Sequence, residues 1–271
     1  MIRLIASDLD GTLLKTDKTL PDGFGALLEE LTKRGVTFVA ASGRQYANIL
    51  AALAPYADGC YIISDNGAVN GFGGNITETF ALPRSSTAAV LKGLDGSPAV
   101  PLICTADCGY YADPDPVFVR ELGRYYARTE YVGAEGMRPI DALVKCAEEN
   151  GNAGAASKIA VFCNGHADEL ISSMPAAEGL TSVVSGADWI DFVRTDVTKG
   201  SALASLLRRL GISPSECLAF GDQFNDREML ELCGESYVTA GASAGMRALF
   251  PAVASNDESG VINKIREVLG L

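Results

Sequence analysis

The first fourteen residues, MIRLIASDLDGTLL, set the reading of the whole chain. Ile2 to Ser7 is a short apolar run of the kind that forms a strand buried on both faces. It stops at Asp8-Leu9-Asp10-Gly11-Thr12 (residues 8–12). Two carboxylates two residues apart at a strand end repel each other unless a cation sits between them. Asp, Gly and Thr also suit an ordinary turn. Average residue usage, however, gives D-x-D-G-T a chance expectation of only ~0.3% in a chain this long, so the stretch reads as functional.

Working outward, strand and helix signals alternate. Leu20, Phe24, Leu27, Leu28 and Leu31 recur at helical spacing until Gly35. Val36 to Ala41 is a second buried strand, followed by Ser42-Gly43-Arg44 and a helix carrying Ile49, Leu50 and Leu53. Tyr61 to Ser64 is a third strand. Gly71 to Gly74 joins two short strands. The C-terminal third repeats the rhythm: a helix from Ser201 to Leu210, a strand from Glu216 to Phe220, a helix from Asp226 to Cys233, a strand from Ser236 to Thr239 and a closing helix from Ile262 to Leu269. Such alternation implies a doubly wound parallel α/β sheet. Sheets of that kind take ligands outside the carboxyl ends of their strands, where Asp8, Ser42 and Asp65 fall. The middle of the chain has longer helical segments and glycine-rich connections around strands such as Lys158 to Cys163. It reads as an inserted α/β domain over 83–187, with the first domain made of 1–82 and 188–271 and Trp189 packing where the chain rejoins it.

Composition narrows the chemistry. Hydrophobic residues at 48% and charged residues at 21% fit a folded globular chain and exclude disordered, collagen-like and coiled-coil classes. No uncharged apolar run approaches the ~18–20 residues of a membrane span, and the opening residues carry acids by position 8, unlike a secretory signal. The seven cysteines read as reduced thiols and the protein as cytoplasmic. A formal net charge of −12 argues against nucleic-acid partners. The single histidine, His166, excludes multi-histidine metal sites and reads as the start of a helix. The chemistry must therefore run on carboxylates, hydroxyls, lysine and a hard metal.

Three further clusters suit that chemistry. Gly221-Asp222-Gln223-Phe224-Asn225-Asp226 follows a strand, and helix capping accounts for Asp226 but not for Asp222. With Asp8 and Asp10 it offers the oxygen ligands that Mg²⁺ prefers. Ser42-Gly43-Arg44 supplies a hydroxyl and free N–H groups at a helix start, suited to a phosphate oxygen. Lys199, in Thr198-Lys199-Gly200, stands just before a helix.

DLDGT, ASGR, TKG and GDQFND occur in the order and spacing of the four motifs of the haloacid dehalogenase superfamily, and SDNGA at 64–68 with the insertion point resembles its Cof-type phosphatases with a type IIB cap. The resemblance in motifs covers about 1–82 and 188–271. It implies a Rossmann-like catalytic core with an α/β cap that governs substrate specificity. Asp8 then matches the nucleophile that forms an aspartyl-phosphate, and Asp10 the general acid and base, its backbone carbonyl also a metal ligand. Asp222 matches the other carboxylate ligand of Mg²⁺, with Asp226 beside it. Lys199, Thr12, Ser42, Gly43, Arg44 and Asn225 match phosphate-positioning groups. The implied function is Mg²⁺-dependent hydrolysis of a small phosphorylated metabolite, a sugar phosphate first and a phosphorylated cofactor second, by a monomer or small homo-oligomer with no nucleic-acid or membrane partner. A phosphomutase is the first alternative, and a phospho-signalling receiver and a non-catalytic binding protein are others. One stretch departs from the Cof-type pattern: TAGASAGMRA at 239–248 stands where a methionine-glycine-asparagine-alanine loop is usual.

Overall fold

The computed structural model describes residues 1–149 and 156–271 and divides into two compact units, 1–78 with 198–271, and 79–197. In chain order the first unit begins with β1 (Leu4–Ser7), α1 (Phe24–Lys33), β2 (Thr37–Ala41), α2 (Tyr46–Leu53), β3 (Tyr61–Ser64), β4 (Val69–Phe72) and β5 (Asn75–Thr79). The second unit holds α3 (Arg84–Gly93), β6 (Val100–Cys104), β7 (Gly109–Tyr111), α4 (Pro116–Tyr125), β8 (Thr129–Tyr131), α5 (Pro139–Glu149), β9 (Lys158–Phe162), α6 (Ala167–Leu170), β10 (Leu180–Val184) and β11 (Trp189–Arg194). The chain re-enters the first unit with α7 (Lys199–Leu210), β12 (Cys217–Gly221), α8 (Arg227–Leu232), β13 (Glu235–Thr239), α9 (Ala244–Leu249), β14 (Ala252–Val253) and α10 (Gly260–Leu269).

The sheet of the first unit runs β14-β13-β12-β1-β2-β3-β4-β5. From β14 to β3 the pairs are parallel, and β4 turns antiparallel to β3. The chain winds one way from β1 to β3 and the other way from β12 to β14, so the winding reverses between β1 and β12. That reversal opens the crevice where ligands bind in such sheets. The central strands are buried throughout, as their unbroken apolar runs require. One face (Leu4, Ala6, Val39, Cys217, Ala219) packs under Leu203, Leu206 and Leu207 of α7 and Met229 of α8. On the other, Phe24 of α1 meets Phe38 edge to face at 5.4 Å. The first helix starts at Phe24, not Leu20, because Pro21-Asp22-Gly23 precedes it in a turn with Gly23 at φ 81°.

The second unit is a sheet in the order β10-β11-β9-β6-β7-β8, antiparallel except for β7 with β8. Helices α3 and α5 cover Ile103, Ile159, Val161, Ile190 and Phe192. On the opposite face Phe118 and Leu122 of α4 pack with Leu102, Phe162 and Trp189. The unit therefore spans 79–197, wider than the 83–187 read from the sequence. Trp189 belongs to it and does not mark the chain's return to the first unit. Its strand pairs with β9 and β10, and apolar periodicity identifies a strand without naming its partner. His166 stands at the start of α6. No helix among the described residues is long and apolar enough to cross a membrane.

Because Ile190 is fully buried in the second unit's core, Ile190→Ala is expected to cost about 2–5 kcal/mol there. Native-state hydrogen exchange should show faster exchange in β9 and β10 while β1 and β12 keep their protection.

Candidate active site

Asp8 leaves β1 with its N–H donating to the Phe220 carbonyl at 3.0 Å, which extends the β1–β12 pairing by one residue. The chain then closes a tight loop, Leu13 N–H to the Asp8 carbonyl and Leu14 N–H to that of Leu9. Gly11 sits in this loop at φ +79°, and a Cβ on it would lie 2.6 Å from Oδ2 of Asp222. Only glycine combines that backbone with so close an approach. The Thr239 hydroxyl, at the end of β13, donates to the Gly11 carbonyl at 3.0 Å. Two strand ends thus fix the loop.

Lys199 is the first residue of α7, capped by Thr198, whose hydroxyl accepts from the Ser201 N–H. A cation is unfavourable at a helix N-terminus, yet the side chain is 1% exposed. Its ammonium is 2.6 Å from Asp8 Oδ1 and 2.6 Å from Asp226 Oδ1. The carboxylates therefore hold it there against the dipole. The other oxygen of Asp226 accepts from the backbone N–H groups of Asp222 and Gln223, so both ends of this side chain are engaged. Asp222 accepts from the Thr12 hydroxyl and from the Gln223 amide at 3.0 and 3.1 Å. Oxygens of Asp8, Asp222 and Asp226, all buried, come within 4.8 Å of one another.

Three carboxylates share one ammonium. Burial pushes the Asp8 carboxyl up to about 8, with Lys199 pulling against it and Asp226 and Asp222 adding to it. Asp222 is raised as well, by burial first and then by Asp226. Lys199 would lose its charge to burial, but Asp8 and Asp226 hold its pKa above the usual lysine value. The excess of buried negative charge and the all-oxygen donor set fit a hard divalent cation.

Asp10 faces a different environment. Arg44 grips it with two parallel bonds, Nε to Oδ2 at 2.6 Å and Nη2 to Oδ1 at 2.7 Å, and Lys18 adds a third at 2.7 Å. Partial burial opposes ionisation, but these bonds prevail and hold the carboxyl below the ordinary range. The Ser42 hydroxyl accepts from the Arg44 N–H, and the Asn225 amide donates to Asn66.

Every candidate catalytic, phosphate-binding and metal residue read from the sequence lies in the first unit, at or beside the ends of β1, β2 and β12 and the start of α7. Asp8, Lys199, Asp222, Asp226 and Thr12 form one bonded cluster, and Ser42, Gly43 and Arg44 follow the end of β2, from which Arg44 reaches Asp10 in the loop after β1. Two of the expected phosphate partners are otherwise engaged: the Thr12 hydroxyl hydrogen goes to Asp222, and Arg44 is paired with Asp10. Spacing places a residue at a strand end but does not choose its rotamer. Lys18 and Glu228 carried no signal of a site role by themselves, and Asn66 stood only within the SDNGA stretch at 64–68. Lys18 comes from a turn over 15–19 and has φ 69°. Glu228 accepts from the Thr198 hydroxyl and so ties the start of α7 to α8.

A family model described as haloacid dehalogenase-like hydrolase matches residues 5–265. The chain belongs to the haloacid dehalogenase-like hydrolases. It is 29% identical to the 5-amino-6-(5-phospho-D-ribitylamino)uracil phosphatase YbjI of Escherichia coli K12, over 99% of this chain and 96% of that one. It is 28% identical to the HMP-PP phosphatase of Escherichia fergusonii, over 93% and 89%. The crystal structure of SMU.1108c from Streptococcus mutans superposes with a TM-score of 0.83 at 24% identity, covering both chains fully. BT1666 from Bacteroides thetaiotaomicron, described among phosphatases of the superfamily, gives 0.79 at 19% identity over 100% and 96%. This hydrolase therefore shares its fold and its place in the family with named phosphatases.

The crowded carboxylates have a consequence for stability. Asp8 has a folded pKa near 8 against 3.8 ordinarily, so the folded state binds the extra proton and its stabilising effect fades as pH rises from about 4 through 8. In excess chelator, calorimetry should show Asp8→Asn at least as stable as the parent at pH 8, with a flatter profile between pH 4 and 8. A variant that unfolds well below the parent at pH 8 would contradict this electrostatic reading.

Proposed function

We propose that this hydrolase is a Mg²⁺-dependent phosphatase of small phosphorylated metabolites, working through an aspartyl-phosphate on Asp8. The observation that carries the reading is the buried Lys199 ammonium, which holds the Asp8 carboxylate at the mouth of the β1/β12 crevice with Asp222 beside it. A phosphate dianion repels a bare carboxylate, and Lys199 offsets that repulsion at the attacking group. Asp8 displaces the ester oxygen from phosphorus, and the leaving oxygen takes a proton from the Asp10 carboxyl. Water then attacks the phosphorus of the aspartyl-phosphate and gives its proton to the Asp10 carboxylate, which releases inorganic phosphate and restores Asp8. The grip of Arg44 and Lys18 favours the ionised form of Asp10, the form this second step uses. Asp8, Asp222 and the Asp10 backbone carbonyl would hold Mg²⁺, which would supply further stabilisation of charge on the phosphoryl group. Ser42, Gly43 and Asn225 position the phosphate oxygens. Asp226 acts through Lys199 and through the N–H groups of Asp222 and Gln223.

The names of the relatives support a small phosphorylated metabolite as substrate, both being phosphatases of such molecules. Selection among substrates is assigned to the inserted domain, and the chemistry to the other. Release of one inorganic phosphate per substrate consumed distinguishes this reading from a phosphomutase.

Chelation is expected to abolish phosphate release and added Mg²⁺ to restore it, while Ca²⁺, with its longer bonds and higher coordination number, should restore it poorly. Full activity in excess chelator would overturn the metal assignment.

The two aspartates separate by their intermediates. Asp8→Asn should never become phosphorylated. Asp10→Asn keeps the backbone carbonyl but loses the proton-transfer group, so turnover should fall by ~10²–10⁴. With acetyl phosphate, whose leaving group needs little acid, Asp10→Asn should accumulate phosphate on Asp8, visible by rapid quench and intact-mass spectrometry. Labelling of Asp8→Asn, or parental turnover by Asp10→Asn, would show the roles to be wrong.

A further inference from the structure

Two cysteines outside the site lie side by side. Cys217 opens β12 and Cys233 follows the last residue of α8. Cys233 packs against the apolar cluster that contains Cys217, the Cys217 thiol donates to the Ser213 carbonyl at 3.4 Å, and each thiol is near enough to shift the other. The sheet accounts for this meeting. β12 and β13 pair in parallel with Leu218 opposite Glu235, so one step back along both strands Cys217 comes opposite Gly234, the neighbour of Cys233. Backbone contact there is close: the Gly234 N–H donates to the Pro214 carbonyl at 2.8 Å, and a Cβ on Gly234 would sit 2.7 Å from Ser215 Cα. Neighbouring strands lie about 4.8 Å apart, so residues one step apart across them fall within the Cα separation of roughly 4.4–6.8 Å that a disulfide spans.

The other five cysteines differ from this pair. Cys60, Cys104, Cys108, Cys146 and Cys163 are all buried, as is Cys217, whereas Cys233 is partly exposed. Burial pushes the thiols of Cys60, Cys108 and Cys163 up and keeps them from solvent. The neighbouring thiol raises Cys233 as well, so what sets Cys233 apart is its access to solvent and a second thiol beside it.

We propose that Cys217 and Cys233 are a redox modification site, closing to a reversible intramolecular disulfide when the protein meets hydrogen peroxide. The partly exposed Cys233 sulfur attacks one peroxide oxygen, the O–O bond breaks, and the departing hydroxide takes the Cys233 proton and leaves as water, so that Cys233 becomes the sulfenic acid. The Cys217 sulfur then attacks the Cys233 sulfur, the S–O bond breaks, and the departing hydroxide leaves as water with the Cys217 proton. Two thiols and one peroxide give one disulfide and two waters. The bond ties together the two ends of the segment 218–232, which carries Asp222, Asn225 and Asp226, and cross-linking of this kind restricts the unfolded chain.

Trypsin cuts after Arg209, Arg227 and Arg247, so the two cysteines fall on separate peptides, 210–227 and 228–247, each with no other cysteine. The full chain is treated with hydrogen peroxide under native conditions, alkylated, digested and analysed by mass spectrometry without reductant. The expected product is the two peptides joined, two hydrogens lighter than their sum, lost on reduction with dithiothreitol. The oxidised protein should also melt at a higher temperature than the reduced one, and Cys233→Ser, a change at a partly exposed position, should give neither effect. The proposal is overturned if both cysteines stay open to alkylation after peroxide treatment. It is equally overturned if Cys233 goes only to the sulfinic acid, or if it links to another chain instead of to Cys217.

Discussion

The Lys199 ammonium, buried at the start of α7 and 2.6 Å from both Asp8 and Asp226, is the constraint from which the rest of the site follows, because three buried carboxylates converge around it. A charge this deeply buried is tolerated only when it is paired and its remaining donors and acceptors are satisfied. The local sequence provides for that. Thr198 caps the helix and is itself held by Glu228. Gly67, at φ +110°, lets the chain pass where a Cβ would lie 2.4 Å from the Thr198 carbonyl. Asp226 divides its two oxygens between Lys199 and the backbone that carries Asp222. The fourth motif is thus tied to the third through a side chain that need not touch a substrate.

The sheet explains why these residues meet although Lys199 lies 191 positions from Asp8 and Asp222 lies farther still along the chain. Asp8 and Asp222 stand at the carboxyl ends of neighbouring strands on either side of the point where the winding reverses. Ser7 pairs with Phe220 and the Asp8 N–H closes the last rung on the Phe220 carbonyl, so Asp8 and Asp222 stand where the two strands end, with their side chains at the crevice. A parallel order built from β-x-β crossovers gives that crevice at one place, and the acids occupy it.

Much of this was legible in the sequence because it depends on strand ends and on residue type. An apolar run followed by Asp-x-Asp-Gly locates Asp8 without knowledge of any partner, and Asp222 stands out because helix capping does not account for it. The extent of the second unit was less legible, since Trp189 to Arg194 reads as a strand whichever sheet takes it. Rotamers were not legible at all. Nothing in spacing turns the Thr12 hydroxyl toward Asp222 or closes Arg44 on Asp10 with Lys18 as a third bond. Those choices follow from local charge, which becomes visible only when distances are known.

The departure at 239–248 is instructive for the same reason. The sequence there differs from the usual Cof-type loop, yet what it gives the site is mostly backbone and buried apolar contact. The Ser243 N–H donates to the Asp222 carbonyl at 3.1 Å, and Ala242 and Met246 are buried in the core beneath α7 and α8. Thr239, the first residue of the stretch, fixes the Gly11 carbonyl from the end of β13. A backbone donor serves equally well under many side chains. The carboxylates at 8 and 222 therefore keep their support while the surface of this loop is free to vary. In such a site, variation in sequence beside the chemistry does not imply variation in the chemistry, because the groups that act are held by strand register, one buried ammonium and main-chain hydrogen bonds.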